Sequence, residues 1–132
     1  MNPSSDVADH PARILIVDDE RHNRELLEVM LAPEGFHPLT AASGAEALAM
    51  VAQQPPDLSL LDIMMPGMDG YQVAATLKRD PDTSAIPVVM LTALAMKGDE
   101  ERIRGAGCDA YIAKPLRYQE LLATIDAQLA RT

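Results

Sequence analysis

The amino-acid sequence predicts an α/β fold, in which a doubly wound parallel sheet of five strands carries helices on both faces. Five short apolar segments alternate with five longer segments whose apolar residues recur at helical spacing. Several of the short segments are continuously apolar, which is typical of parallel strands buried on both faces. Polar residues follow the ends of four of these segments, where open parallel sheets place their ligands.

The first half of the chain supplies three strands and two helices. Residues 13–17 are an apolar run that stops at two aspartates, and the apolar residues between 26 and 31 have helical spacing. Pro33 ends that helix, and a second strand is predicted over residues 36–40. Pro38 favours the edge of the sheet for this strand, because proline cannot donate a hydrogen bond to a neighbouring strand.

A second helix begins at Ser43, which the sequence predicts as its N-cap. Glu46 follows three residues later, and this spacing is typical of a capping box. The third strand covers residues 58–61 and stops at Asp62. It is the second strand of the chain to end at an acidic residue.

The second half of the chain alternates in the same way. Residues 64–70 contain one proline and two glycines and are predicted to form a loop. The remaining elements are a helix over residues 71–79, a strand over 87–91, a short polar helix over 99–106, a strand over 110–113 and an amphipathic helix over 116–129.

Length and composition indicate one cytoplasmic domain. The chain has 132 residues, which is enough for a single apolar core. Its one cysteine, Cys108, cannot form an internal disulfide, and this favours a reducing compartment. Residues 1–12 lack the features of a signal peptide and are predicted to be a flexible leader, so the domain occupies residues 13–131. No apolar run is long enough to suggest a membrane span.

The charge of the chain argues against direct binding to nucleic acid. Twenty acidic and 11 basic residues give a formal charge of −9. Nucleic-acid binding needs a basic surface, which this composition does not suggest. Solubility is the simplest explanation of the acidic balance.

The polar residues at the strand ends form the candidate site. Asp18 and Asp19 follow the first strand, Asp62 the third, Thr92 the fourth and Lys114 the fifth. Three neighbouring carboxylates repel one another, and Mg²⁺ removes that repulsion because it prefers oxygen ligands. A carboxylate can also attack phosphorus and form an aspartyl phosphate. Lys114 and the Thr92 hydroxyl would then contact other phosphoryl oxygens.

Each of these residues also has an ordinary structural interpretation. Asp18 and Asp19 could cap the first helix, and Asp62 could stabilise a turn. Thr92 could be a strand-end threonine and Lys114 a solvated surface lysine. What favours a site is that acid pair, acid, hydroxyl and base all fall at strand ends.

Four segments of the sequence resemble the signature blocks of bacterial response-regulator receiver domains, the superfamily of chemotaxis regulators. These segments are residues 14–20 (ILIVDDE), 56–70 (PDLSLLDIMMPGMDG), 88–93 (VVMLTA) and 111–115 (YIAKP). The resemblance covers about residues 13–130. It implies a flavodoxin-like fold with strand order 2-1-3-4-5.

The resemblance also implies a role for each residue of the site. Asp62 would be the phosphoacceptor, with Thr92 and Lys114 assisting the transfer. Asp19 would bind Mg²⁺ directly and Asp18 would hold its waters, while Asp62 and the Met64 main-chain carbonyl would be further ligands. By the same resemblance, Thr92 and Tyr111 would form the switch pair. Lys114–Pro115 would be a cis peptide bond.

The partners follow from the same resemblance. The phosphoryl donor would be a phosphohistidine on a sensor kinase or a histidine phosphotransfer domain, within a phosphorelay. The segment from 93 to 106, the fifth strand and the last helix would form the output face, which binds a downstream protein or a second copy of the chain. The domain would not be an enzyme beyond phosphorylating and dephosphorylating itself. It would be a stand-alone regulator or part of a larger protein.

The lifetime of the phosphoryl group depends on access of water to Asp62. In receivers, the residues two positions after the acceptor and two after the switch hydroxyl flank the path of this water. They are Met64 and Leu94 here, both bulky and apolar. The sequence therefore predicts a comparatively long-lived phosphoryl group.

Two other classes of protein fit the sequence less well than a receiver domain. An aspartyl-phosphate phosphatase or phosphotransferase usually carries a second catalytic acid two residues after the nucleophile, where this chain has Met64. A flavin-binding electron carrier needs aromatic residues around the ring and a hydroxyl-rich phosphate loop. The acidic residues after the first strand would repel a phosphate instead.

Overall fold

The five apolar segments form one parallel sheet in a computed structural model of the chain. The structure describes residues 11–65, 67–93 and 97–130, without the side chains of 97–99. The strands are β1 (Arg13–Val17), β2 (His37–Ala41), β3 (Leu58–Asp62), β4 (Val88–Thr92) and β5 (Ala110–Ala113). Their spatial order is β2-β1-β3-β4-β5, so the predicted flavodoxin-like strand order is confirmed.

Five helices connect the strands and cover both faces of the sheet. They are α1 (Arg21–Leu31), α2 (Gly44–Gln53), α3 (Gly70–Arg79), α4 (Lys97–Gly105) and α5 (Tyr118–Ala130), and a short 3-10 helix (Ala32–Glu34) follows α1. Helices α1 and α5 share one apolar cluster with the sheet, while α2, α3 and Ile103 of α4 share the other. The doubly wound arrangement predicted from the sequence is therefore confirmed.

The ends of several elements, among them β2 and the last helix, differ from the sequence-based prediction by one or two residues. Strand β2 runs one residue further, to Ala41, and it is an edge strand as Pro38 indicated. The last helix begins at Tyr118 rather than at residue 116. The Leu121 amide donates to the Arg117 carbonyl at 2.9 Å, which makes Arg117 the residue that starts the helical hydrogen bonds.

Helix α4 is the least anchored of the five helices in its described side chains. Among those of residues 100–105, only Ile103 is buried. The Arg102 guanidinium lies 4.4 Å from the centre of the Tyr71 ring on α3, which is a cation–π contact. Few contacts therefore hold α4 against the rest of the molecule.

The parallel register brings the carboxyl ends of the strands to one edge of the sheet. Val17 of β1 lies beside Leu61 of β3, and Asp62 lies beside Leu91 of β4. The residues that follow β1 and end β3 and β4 therefore meet at this edge. Within the described residues, no helix has the length and apolar character needed to cross a membrane.

Candidate active site

Three carboxylates meet at the carboxyl edge of the sheet. Asp18, Asp19 and Asp62 each offer an oxygen atom, and these atoms all lie within 4.8 Å of one another. Asp18 and Asp62 are buried, with exposed fractions of 1% and 6%, whereas Asp19 is exposed. The structure thus brings together the three acids that the sequence placed at strand ends.

Asp18 is held at three points and leaves one oxygen open. Its amide donates to the Ala41 carbonyl at 3.2 Å, and its Oδ1 accepts a hydrogen bond from the Glu20 amide at 2.9 Å. Its main-chain carbonyl accepts one from Arg24 Nη1 at 2.8 Å. Its Oδ2 is buried and has no hydrogen-bond partner among the residues that the structure describes. Such an atom in an acidic cluster is suited to a cation or to a water molecule held by one.

Neither aspartate after β1 caps the first helix. Glu20 occupies the N-cap position of α1, and no side chain accepts a capping hydrogen bond there. Asp18 bonds to the amide of this N-cap residue rather than to the amides of the first helical turn. The structural interpretation of the acid pair as helix caps therefore does not hold.

Asp62 pairs with Lys114 across the end of the sheet. Lys114 Nζ donates to Asp62 Oδ1 at 3.2 Å, and the Met64 amide makes a weaker contact with the same oxygen at 3.4 Å. Burial raises the pKa of the Asp62 carboxyl above its usual value, and the Asp18 charge adds to this. Lys114 opposes both effects without cancelling them. The Lys114 ammonium group therefore does not balance the negative charge around Asp62.

Lys114 and Thr92 are linked through the main chain. The Lys114 amide donates to the Thr92 carbonyl at 2.7 Å, and the Lys114–Pro115 peptide bond is cis. Thr92 is buried, with 4% of its surface exposed. Lys114 is thus fixed beside the end of β4, with its ammonium group on Asp62.

Two further residues of the predicted set lie at the surface. The Met64 side chain is 69% exposed. Tyr111 lies on the edge strand β5 opposite Met90 and is 36% exposed. Leu94, which was predicted to flank the path of the hydrolytic water, lies outside the described residues, as do residues 1–10 of the predicted leader.

The residues present fit a hard divalent cation. Mg²⁺ prefers oxygen ligands, and the cluster offers carboxylate oxygens from Asp18, Asp19 and Asp62. One oxygen of Asp18 has no other described use. Among the described side chains, one lysine, Lys114, faces these three acids, so a cation at this position would also relieve their repulsion.

Sequence reasoning missed two residues that shape the site. Gly70 begins α3, and a Cβ atom there would lie 2.5 Å from the Asp62 carbonyl oxygen, so only glycine allows this close approach. Arg24 holds the Asp18 carbonyl from α1. Its signal in the sequence is weak: a basic residue in the first turns of a helix, where the helix dipole disfavours positive charge.

The fold and site together define a signalling class rather than a classical enzyme. Residues 14–126 match the family model described as the response regulator receiver domain. Since this match spans most of the chain, the protein belongs to the family of response regulator receiver domains, which act in two-component signalling systems.

Individual relatives agree with this assignment. The polar-differentiation response regulator DivK of Brucella anthropi is 40% identical over 119 residues, which cover 90% of this chain and 97% of the relative. Chemotaxis protein CheY4 of Vibrio cholerae superposes with a TM-score of 0.84 at 27% identity, covering 89% of this chain and 98% of the other.

A third relative bears on the metal. The receiver domain of the sensor histidine kinase PA1611 from Pseudomonas aeruginosa has a TM-score of 0.84 and 30% identity, and the match covers 91% of this chain and 98% of that domain. In that structure a magnesium ion is coordinated in the active-site cleft.

Proposed function

We propose that Asp62 accepts a phosphoryl group from a phosphohistidine in a Mg²⁺-dependent reaction. The observation that carries this proposal is the placement of the Asp62 carboxylate, which lies among the acids that follow β1 and bonds to Lys114 at 3.2 Å. A buried carboxylate beside an ammonium group and a potential cation site is arranged for phosphoryl transfer, which depends on positioning and charge neutralisation.

Asp18, Asp19, Asp62 and the Met64 main-chain carbonyl would hold the Mg²⁺ ion. When bound, the cation supplies positive charge that neutralises the carboxylates and the oxygens of the incoming phosphoryl group. Asp18 is already fixed by its main chain and its Oδ1, so it contributes the remaining oxygen without rearrangement. Because the protein offers few ligands and Mg²⁺ keeps several of its waters, we expect the ion to bind weakly and reversibly.

The transfer step exchanges one bond to phosphorus for another. A carboxylate oxygen of Asp62 forms a new O–P bond while the N–P bond of the donor phosphohistidine breaks. The departing histidine nitrogen keeps the electron pair of that bond, and no proton has to leave Asp62, because the carboxylate attacks in its ionised form. Lys114 remains beside the acceptor and pairs with a phosphoryl oxygen.

Thr92 and Tyr111 pass the change on to the surface. The Thr92 hydroxyl turns toward the phosphoryl group on Asp62, and the Tyr111 ring, now exposed on β5, turns inward to fill the space it leaves. The output face comprises α4, β5 and α5. Its ligand is a downstream protein or a second copy of the chain, and the switch is a shift between two populations.

The donor is a sensor histidine kinase or a histidine phosphotransfer domain, and the domain itself catalyses only its own phosphorylation and dephosphorylation. Cytoplasmic location fits a single cysteine and a phosphohistidine donor. Both a stand-alone regulator and a receiver within a longer protein are compatible with this chemistry.

Phosphoramidate, which contains the same N–P bond as phosphohistidine, tests the reaction without the cognate donor. With Mg²⁺ present, intact-mass spectrometry should detect one added phosphoryl group, and hydroxylamine should remove it because it cleaves acyl phosphates. Lys114→Ala should slow the labelling. Equal labelling in the presence of EDTA, or a label that resists hydroxylamine, would contradict the proposal.

A further inference from the structure

A side chain of α1 contacts the acidic loop after β1. Arg24, on the first turns of α1, donates from Nη1 to the Asp18 carbonyl at 2.8 Å. Its amide donates to the carbonyl of the N-cap residue Glu20 at 3.2 Å, which is a main-chain bond of the helix and fixes where Arg24 stands relative to the loop. Each of the other two bonds that fix Asp18 has a main-chain amide as its donor.

From this geometry we infer that Arg24 is a positioning residue for the divalent cation, and this inference rests on the proposed function. Arg24 touches neither the acceptor carboxylate nor, in this arrangement, a metal ligand atom. It fixes the Asp18 peptide unit, and thereby the direction in which the unpartnered Asp18 Oδ2 points. Outer contacts of this kind orient ligands and raise metal affinity.

The location of Arg24 supports this inference. A positive charge in the first turns of a helix opposes the helix dipole, so a basic residue gains nothing there from the helix itself. The side chain of Arg21, one turn earlier, is 84% exposed and pairs with Glu25 on the same helix. Arg24 is instead partly buried against the loop that carries the acids. The two arginines thus form a matched pair, one in contact with the site and one without.

A Mg²⁺ titration monitored through amide NMR signals measures the Mg²⁺ affinity directly. NMR is suitable because the chain has no tryptophan to serve as a fluorescent probe. Arg24→Met should weaken Mg²⁺ binding by about tenfold, the low end of losses seen for outer contacts of metal sites. Arg21→Met should bind like the parent. Arg24→Lys retains a donor and should fall between parent and Arg24→Met.

A second measurement needs no metal. Without Mg²⁺, hydrogen exchange of the Glu20 amide should be faster in Arg24→Met than in Arg21→Met, because this amide donates to Asp18 Oδ1. If Arg24→Met does not fold, Arg24→Gln, whose shorter side chain loses the contact, takes its place with the same expected results.

The outcomes separate this inference from the proposed function. A parent chain that binds no Mg²⁺ overturns both. A parent that binds Mg²⁺, together with an Arg24 variant of equal affinity, overturns only the positioning role. Weaker binding in the Arg24 variant that Arg24→Lys partly restores, with Arg21→Met unchanged, supports it.

Discussion

The surroundings of Asp62 disfavour its negative charge more than Lys114 favours it. Burial is the largest effect and raises the pKa of the carboxyl, the Lys114 ammonium lowers it, and the Asp18 charge raises it again. The folded protein therefore holds the acceptor at a cost in stability while no cation is bound. Function explains such an arrangement better than stability does.

This cost predicts how stability depends on pH. At a pH below its usual pKa, Asp62 is protonated and uncharged in both the folded and the unfolded chain, so it costs no stability. As the pH rises from that value through the raised pKa of the folded state, the unfolded chain loses its proton first, so Asp62 lowers stability. Asp62→Asn should therefore be more stable than the parent at neutral pH without metal, with the difference vanishing in acid.

Urea unfolding of both proteins across this pH range, in EDTA, checks the prediction. Asp126→Asn, a change at an exposed residue of α5, is the control for removal of one acidic charge. A parent as stable as Asp62→Asn at neutral pH would mean that the charge of Asp62 is fully compensated. Added Mg²⁺ should reduce the difference, because it stabilises the charged form.

Ser59 is a buried polar residue outside the site. Its hydroxyl is buried and has no hydrogen-bond partner in the described part of the chain, and its neighbours in register are Leu15 and Val88. Ser59→Ala should leave the free energy of unfolding unchanged or raise it by up to about 1 kcal/mol, because a buried hydroxyl without a partner is unfavourable.

Ser43→Ala is the matched control for removal of a serine hydroxyl. Ser43 Oγ accepts a hydrogen bond from the Glu46 amide at 3.1 Å as the N-cap of α2, so its loss should cost about 1 kcal/mol. Denaturant unfolding compares the two variants. If Ser59→Ala destabilises the protein as much as Ser43→Ala, the Ser59 hydroxyl has a partner in solution.

The sequence predicted which residues form the site but not every contact that holds their side chains in place. Asp18, Asp62 and Lys114 stand at strand ends, and parallel strands bring such ends together. That Asp18 has one oxygen bonded and one open depends on a turn that periodicity does not describe. The Arg24 contact joins a helix to a loop and needs the packing of α1 to be known.

Lys78 on α3 contacts the segments that precede β4 and β5, at the amino ends of these strands. Lys78 Nζ donates to the Ser84 carbonyl at 3.1 Å and the Ile86 carbonyl at 2.9 Å, and it pairs with Asp109 Oδ2 at 2.8 Å. The same Asp109 oxygen accepts a hydrogen bond from the Val88 amide, at the start of β4. This network fixes the segments that lead into β4 and β5.

Lys78→Met should therefore destabilise the domain by about 3 kcal/mol, because it removes two hydrogen bonds and an ion pair and leaves a partly buried carboxylate without its cation. Arg104→Met, which breaks an exposed pair with Glu100, should cost less than about 0.5 kcal/mol. Thermal and urea unfolding measure both. Equal effects of the two changes would show that the Lys78 network contributes no more than a surface ion pair.

Helix α4 is the element expected to respond most to phosphorylation. It is held by buried Ile103 and by the Arg102–Tyr71 contact among its described side chains. Weakly anchored elements exchange amide hydrogen readily and change most easily between states. With Mg²⁺ and beryllofluoride, a phosphoryl mimic, changes in hydrogen exchange should concentrate between Ala93 and Tyr118. Changes confined to residues 36–51 would contradict the proposed output face.

For the molecule as a whole, periodicity and resemblance contributed different parts of the prediction. Alternation of apolar and helical segments was sufficient for a parallel sheet with helices on both faces. The strand order came from resemblance, because alternation alone does not fix which strands are neighbours. Helix ends were less accurate, as at Tyr118, because they depend on individual hydrogen bonds such as that of Arg117.

Mapping of the modified residue shows whether Asp62 carries the phosphoryl group. Parent, Asp62→Asn and Asp126→Asn are incubated with acetyl phosphate and Mg²⁺, and intact mass and peptide mapping follow. We predict one phosphoryl group, on Asp62, in the parent and in Asp126→Asn, and none in a folded Asp62→Asn, because an amide is a poor nucleophile. Full labelling of Asp62→Asn at another aspartate would contradict the account.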